Sequence, residues 1–359
     1  MAILQTTRIT LHNQTQRQLH LATDTKDTKD INQPSVTSVS SVANFILHFV
    51  WMLPEHLDSN QHIRKMLMSE ATQCDFTIQF YQSETYLHEA YKTKQPDLIV
   101  LFGSFYKPNT DIYNLITQTS RYLGTRVAAW ITEDPYEFDC NYLLPKLVDF
   151  VFSNDKNSCN YYHSQNVYHL PLATAYNTLE PLTEPEWDFV FCGVGFANRI
   201  DIIEGLQDIL KNYSTLIIGS NWSKQITEKF FTRTQVDYDE LISIYRNSKI
   251  VLNLSRYHNI ANQIYEIVPS TVAPRTFEVA AMGIFQLVFF DRPEIHEYFT
   301  QEEIITFSSK QEFAYLADKY INNPQLRHSI ANEAKQKVHK EHLYRHRLQT
   351  LLQQVLNNL

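Results

Sequence analysis

Residues 249–257 read KIVLNLSRY, residues 270–283 read STVAPRTFEVAAMG and residues 284–290 read IFQLVFF. Ile250, Val251, Leu252 and Leu254 make an apolar run of strand length, as do Ile284, Phe285, Leu287, Val288, Phe289 and Phe290. Such runs mark strands buried on both faces. Between them Pro274 stands where a first helical residue belongs, since its missing N–H is not needed there, and Gly283 supplies the left-handed residue that ends a helix. The segment is therefore expected to be a strand, a polar loop, a short helix and a second strand. Glu278 falls on that helix, just past a loop able to aim backbone N–H groups at an anion. A unit of this kind is suited to a nucleotide, with phosphate at the helix start and the carboxylate on the ribose hydroxyls.

Outward from this unit, apolar strands and helical patterns alternate along the chain. Strands are expected over 44–51, 76–80, 97–102, 126–131, 150–152 and 167–170, with helices over 60–71, 84–93, 110–123 and 155–164. Residues 176–186 (YNTLEPLTEPE) hold two prolines and three glutamates with little to bury, which predicts a linker. A second series follows, with strands over 188–192 and 215–219 and helices over 200–211, 223–229 and 237–247. The opening unit comes next, then helices over 311–322, 325–340 and to the C-terminus. This alternation implies an α/β protein with two Rossmann-like domains of parallel sheet, over 43–175 and 187–340. Residues 1–42 are rich in Thr, Gln, Asp, Lys and Ser and carry too few apolar groups to offset ordering, so a disordered tail is expected.

With 359 residues and 43% hydrophobic content the chain has material for two cores. No apolar run of 18 residues occurs, and the start lacks the apolar centre of a signal peptide. Four cysteines without a CxxC pair argue against structural zinc and fit a reducing, cytoplasmic setting. The net charge of −8 argues against general nucleic-acid binding. Residues 324–347 are basic, through Arg327, Lys335, Lys337, Lys340, Arg345 and Arg347. That is either the solvated face of a packed helix or a weak membrane contact. His339, His342 and His346 could share a helix face, but neither HExxH nor another carboxylate–His ligand pattern accompanies them and surface positions are expected. No G-x-S-x-G elbow or P-loop is present, and no D-x-D is read near a strand end to carry a divalent ion.

Several stretches, in order, carry a resemblance: WITEDPYEFD (130–139), DFVFSNDKNSCNYY (149–162), YHLPLA (168–173), DFVFCGVGFANR (188–199), the opening segment and EHLYRHR (341–347). Together they resemble the CgeB-like spore-maturation family of GT-B glycosyltransferases, over roughly residues 95 to 350. The resemblance implies a GT-B fold, with two domains facing one cleft and the final helix (341–359) crossing back to the first. It implies transfer of a sugar from a nucleoside diphosphate of UDP or GDP type to a hydroxyl on a protein or a surface or spore glycan. No cofactor or metal is expected in such a transfer. A nucleotide- or glycan-binding protein of the same fold, without turnover, and a sugar-nucleotide epimerase are the alternatives.

Ligands of open parallel sheets gather at the carboxyl ends of strands. In the second domain the first such loop holds Gly193 and Gly195, whose backbone could approach a substrate, and Arg199, which could neutralise a diphosphate or sit on the surface. Glu278 is flanked by apolar neighbours, so its charge needs a partner. By the resemblance it matches the second glutamate of the E-x7-E motif of retaining GT-B enzymes, while Ser270 stands at the first. Ser270, Thr271, Val272 and Arg275 are expected around the donor phosphates, with N–H groups offered by Thr271, Val272 and Arg275. Arg256 should project into the cleft from the end of its strand, whereas Asn253 should hold a neighbouring loop. In the first domain Glu133, Asp134, Glu137 and Asp139 fall in one loop. Four such acids repel one another unless they bind cations, face a polyol or form a solvated turn. The resemblance puts this loop on the acceptor side, with Glu133 or Asp134 as the catalytic candidate. Gly103, Ser104, Asn154 and Asp155 end neighbouring strands on that side, with Asn154 also a candidate helix cap.

Overall fold

The computed structural model describes residues 43–55, 61–90, 92–106 and 110–358. The disordered tail expected for 1–42 lies outside them. Two six-stranded sheets are present, each parallel throughout. The first contains β1 (Ile46–Trp51), β2 (Thr77–Gln82), β3 (Leu98–Gly103), β4 (Arg126–Ile131), β5 (Phe150–Ser153) and β6 (Val167–His169), in the order β2-β1-β3-β4-β5-β6. Its helices are α1 (Gln61–Ala71), α2 (Tyr86–Ala90), α3 (Thr110–Leu123), α4 (Phe138–Asn141) and α5 (Lys156–Cys159). Every residue of β1 and β3 is buried, as required of central strands covered on both faces.

The second sheet contains β7 (Trp187–Cys192), β8 (Thr215–Ile218), β9 (Phe231–Arg233), β10 (Ser248–Asn253), β11 (Gln286–Phe289) and β12 (Ile305–Phe307). Its order, β12-β11-β10-β7-β8-β9, reverses direction between β7 and β10. Helices α6 (Ala197–Leu210), α7 (Lys224–Thr227), α8 (Tyr238–Arg246), α9 (Pro274–Ala281), α10 (Ile295–Tyr298), α11 (Lys310–Ile321), α12 (Pro324–Glu341) and α13 (Tyr344–Leu356) complete the chain. The opening unit folds as its residues dictate: Pro274 is the first residue of α9, and Gly283 has φ 67° after its end. Strands β9 and β12 are not among the expected elements. The helix expected over 155–164 shrinks to one turn, α5.

Both sheets belong to one unit running from residue 42 onward, and two features join the lobes. Helix α13 crosses back as expected: Tyr344, Leu348, Leu351, Leu352 and Val355 enter the core of the first sheet beside Leu47 and Trp130. Arg345 meets Glu70 of α1 at 2.5 Å, and the Tyr344 N–H donates to the Thr174 carbonyl at 2.8 Å. The basic run that includes Arg345 is used internally. Arg327 donates to the Ile321 carbonyl, Lys335 pairs with Glu180, Lys337 and Lys340 with Glu341, and Arg347 donates to the Pro171 carbonyl. Each of these side chains has a partner within the fold, while Lys340 remains exposed. His342 is also not a surface residue: it is buried against Phe277, Tyr298 and Phe299.

The second junction is a strap, residues 258–271, that leaves β10 and lies on the first lobe. The N–H groups of Ile260 and Ala261 donate to the Tyr136 carbonyl (3.1 and 2.7 Å), and the Asp139 N–H donates to the Ala261 carbonyl (2.8 Å). Tyr265 packs on Phe138, Tyr142 and Tyr161, and Ile267 enters the first lobe's core. The strap ends on Asp155. One oxygen of this buried carboxylate caps α5 through the Ser158 N–H (3.0 Å), and the other accepts the N–H groups of Ser270 (2.8 Å) and Thr271 (3.2 Å). Asp155→Ala would remove a helix cap, worth about 1 kcal/mol, and strand two part-buried donors at about 1–3 kcal/mol each. We expect Tm to fall by roughly 10 °C and by less in Asp155→Asn, which keeps one acceptor; scanning calorimetry that shows an unchanged Tm in Asp155→Ala would refute the assignment.

Candidate functional site

The carboxyl ends of both sheets face one cleft of about 240 Å³, against about 30 Å³ for the next cavity. This is where topology predicts ligands, beyond the strand ends near the reversal of strand order. From the first lobe Gly103, Ser104, Glu133, Asp134, Asn154 and Asp155 line it, and from the second Arg199, Arg256, Thr271, Val272, Arg275 and Glu278. Residues separated by up to 175 positions in sequence are thus brought together. Gly193, Gly195 and Ser270 are not on the cleft wall.

The two glycines have a different task. A Cβ on Gly195 would lie 2.6 Å from the Asn221 carbonyl oxygen, and one on Gly193 would lie 2.8 Å from an Arg199 nitrogen. Their missing side chains admit the loop after β8 and the Arg199 guanidinium rather than a substrate. Arg199 itself is buried and reaches the cleft from the first turn of α6. It donates to the carbonyls of Val194 (3.0 Å), Leu254 (3.2 Å) and Ser255 (3.3 Å) and lies over the Phe191 and Phe196 rings. Burial, with the positive charges of Arg275 and Arg256, pushes its pKa down to about 9. It stays charged at neutral pH; among the described residues it hydrogen-bonds to no carboxylate, and the carboxylate that feels its charge, Asp291, is paired with Arg292. A buried cation held only by carbonyls and rings leaves its charge available to an anion.

Arg275 lies beside it and donates to the Cys192 carbonyl. Arg256 crosses the cleft to pair with Glu133 and lies 4.4 Å above the Tyr136 ring. Burial opposes the charge on Arg256, but Glu133 and Tyr136 outweigh it and the pKa is raised. Arg292, which the sequence reading overlooked, is buried beneath this pair. It donates to the Arg256 carbonyl (3.0 Å) and to Tyr257 Oη (3.0 Å) and meets Asp291 at 3.0 Å. Its DRP setting after β11 follows the strand-end rule used elsewhere and was a usable signal.

Each acid of the acidic loop has a protein partner, Glu133 through Arg256 and the other three through neutral donors. Asp134 accepts from Asn141 (2.8 Å), Ser153 (2.7 Å) and Tyr162 (2.8 Å), and Glu137 accepts from Ser104 Oγ (2.7 and 2.9 Å). Asp139 accepts from the strap N–H groups of Gln263 (2.8 Å) and Ile264 (3.1 Å). Ser104 is therefore occupied as a donor to Glu137. Asn154 is not the helix cap; it clamps residue 134 by accepting from its N–H (2.9 Å) and donating to its carbonyl (3.1 Å). The cap is its neighbour Asp155, which serves the strap as well and so is a structural residue at the cleft edge.

The phosphate-loop expectation also needs correction. The N–H of Thr271 is taken by Asp155, and its hydroxyl donates to the buried carboxylate of Glu294 (2.5 Å), which also lies 3.2 Å from His169 Nε2. Ser270, at the first motif position, serves the strap. Val272, Ala273 and Pro274 still line the cleft, and Ala273 opens α9 without a side-chain cap, so this helix start faces the cavity. Glu278 is buried one turn along and faces His62 Nε2 of α1 at 3.5 Å. Asn253 does not hold a loop; it ties β10 to α9 and β11, donating to Thr276 (2.9 Å) and Gln286 (3.0 Å).

Residues 199–353 match a family model described as glycosyl transferase-like. Two parallel-sheet lobes around one cleft give the chain the GT-B fold. In sequence the chain is similar to spore protein CgeB of Bacillus subtilis (strain 168), at 27% identity over 220 residues, 57% of this chain and 67% of that protein. Its fold is shared with HepE of Anabaena, solved in complex with UDP (TM-score 0.56, 10% identity, 88% of this chain and 100% of that one). It is shared also with sucrose-phosphate synthase from Thermosynechococcus elongatus (TM-score 0.57, 11% identity, 88% and 100%). No helix among the described residues is long and apolar enough to cross a membrane.

Two carboxyls of the acidic loop set a pH dependence. Burial pushes Asp134 up to about 6 and Glu137 up to about 7, against their hydrogen bonds. A raised carboxyl favours the folded state in acid, and that stability is lost as pH rises from the ordinary carboxylate range through the folded value. Glu137→Gln is uncharged throughout, so its Tm relative to the parent should be higher at pH 8 than at pH 5. Equal differences at the two pH values would show that Glu137 does not titrate in this window.

Proposed function

We propose that the chain transfers a glycosyl group from a nucleoside diphosphate sugar, of UDP or GDP type, to a hydroxyl acceptor. The observation that carries this reading is the second-lobe wall of the cleft, where Arg199, Arg275 and the start of α9 converge above Glu278. Arg199 brings a buried positive charge with no carboxylate among its hydrogen-bond partners, and a diphosphate is an anion that would complete it. Glu278, one turn into α9, is placed to accept from the ribose hydroxyls. The UDP bound to HepE, which shares the fold, favours a uridine donor.

In this reading the guanidiniums and the helix start stabilise charge building on the leaving diphosphate, without a metal. Glu133 is the better candidate of the two acids for the acceptor side. Its carboxylate reaches Arg256 across the cleft, whereas both Asp134 oxygens are engaged by neutral donors of their own lobe. Retention of configuration rests on Glu278 as the second glutamate of the motif. With Ser270 committed to Asp155, the donor contact of the first glutamate must come from another residue. Similarity to a spore protein favours a surface glycan or coat protein as acceptor.

Calorimetry with UDP, GDP, CDP and TDP tests the donor class. One of the four should bind, and Glu278→Ala should weaken it by roughly 1–3 kcal/mol, the scale of hydrogen bonds to a charged group. Slow release of diphosphate from the matching nucleotide-sugar supports turnover, while binding without release supports a non-catalytic protein of the same fold. Unchanged affinity in a folded Glu278→Ala protein removes the ribose assignment.

A further inference from the structure

The first lobe contributes His62 to the end of the cleft that holds Glu278, and nothing in the family motif calls for it. His62 stands at the start of α1, after the first strand, and lines the cleft with its side chain only 22% exposed. Its Nε2 lies 3.5 Å from Glu278 Oε1, and its ring stacks on Tyr238 of the second lobe, with centroids 4.6 Å apart and planes 18° from parallel. Tyr238 is itself anchored to the first lobe, through a hydroxyl 3.6 Å from the Met66 sulfur on α1. His62 is therefore held by a ring on one side and points a nitrogen at a carboxylate that is 7% exposed.

We propose that His62 is a donor-positioning residue that acts through Glu278. This rests on the reading of Glu278 as the ribose acceptor. A glutamate side chain has three rotatable bonds, and presenting one fixed oxygen to a vicinal diol has an entropic cost unless the carboxylate is already oriented. His62 Nε2 faces Oε1 at 3.5 Å, close enough to draw that oxygen and leave Oε2 as the one offered to the ribose. The Tyr238 stack fixes the imidazole plane, which sets the line of approach. Because His62 and Glu278 sit on different lobes, the ribose site is complete only when the lobes are docked.

The test is a double-mutant cycle with a fold control, reading the dissociation constant of whichever of UDP, GDP, CDP or TDP binds tightest. His62→Ala should weaken binding by roughly three- to tenfold with Tm little changed, and His62→Gln, which retains an N–H donor, should restore most of the loss. In a Glu278→Ala background, His62→Ala should have no further effect. Equal losses from His62→Ala in both backgrounds, or no rescue by glutamine, would overturn the positioning role while leaving the donor site intact. If Glu278→Ala does not weaken binding, or none of the four nucleotides binds, the donor-site reading fails and this inference with it. In turnover assays His62→Ala should raise the donor KM and spare kcat; the reverse pattern would assign His62 to the chemical step instead.

Discussion

A single buried carboxylate sets the geometry of the cleft. Asp155 leaves the end of β5 in the first lobe, caps one turn of helix with one oxygen and takes two backbone N–H groups of the second lobe with the other. Both lobes present half of the site, so their separation decides whether Glu133 reaches Arg256 and whether His62 reaches Glu278. Without Asp155 the strap would end on two part-buried donors with no acceptor, a cost comparable to a large share of the stability of a typical domain. Hydrogen bonds of this kind are directional, so they define the docking distance as well as favouring contact. The aromatic group around Tyr265 adds area but little direction.

Around this junction the charges are sorted by partner. The acids of the 133–139 loop, which sequence spacing makes look like a repelling cluster, are each matched to a different set of donors. Asp134 and Asp139 hold their own lobe and the strap, Glu137 holds Ser104, and Glu133 alone turns across the cleft to an arginine. The arginines divide in the same way. Arg292 and Arg256 have carboxylate partners, whereas Arg199 is held by carbonyls and rings. An arginine stripped of water whose hydrogen bonds reach no carboxylate is costly to keep in a fold, and the carboxylate that feels its charge, Asp291, is already paired with Arg292. The persistence of Arg199 at the helix-start wall is the electrostatic reason to look for an anion there.

Much of the second lobe was legible from residue order. The Pro274 start, the Gly283 stop and the flanking apolar strands follow from local chemistry, and each takes the expected place. Arg199, Arg256, Arg275 and Glu278 were found because polar residues just after buried strands must emerge at one edge of a parallel sheet. Applied equally to the loops after β1 and β11, the same rule would have reached His62 and Arg292. Gly193 and Gly195 misled for a physical reason: a glycine marks a close approach but not what approaches, and here it is the neighbouring loop and an arginine side chain.

The fold class was determined by sequence alone, since a period of alternating apolar strands and helices admits few arrangements other than parallel sheets with covered faces. The same holds for the nucleotide-type strand–loop–helix unit, whose signals are separated by a handful of residues. Only the tertiary structure decided which acids are structural and which face the cleft, because hydrogen bonds across 19 to 28 residues in Asp134, or 115 in Asp155, leave no periodic trace in the chain. The meeting of the lobes was likewise decided there. Docking distance depends on one carboxylate and a strap, and local propensity carries no information about either.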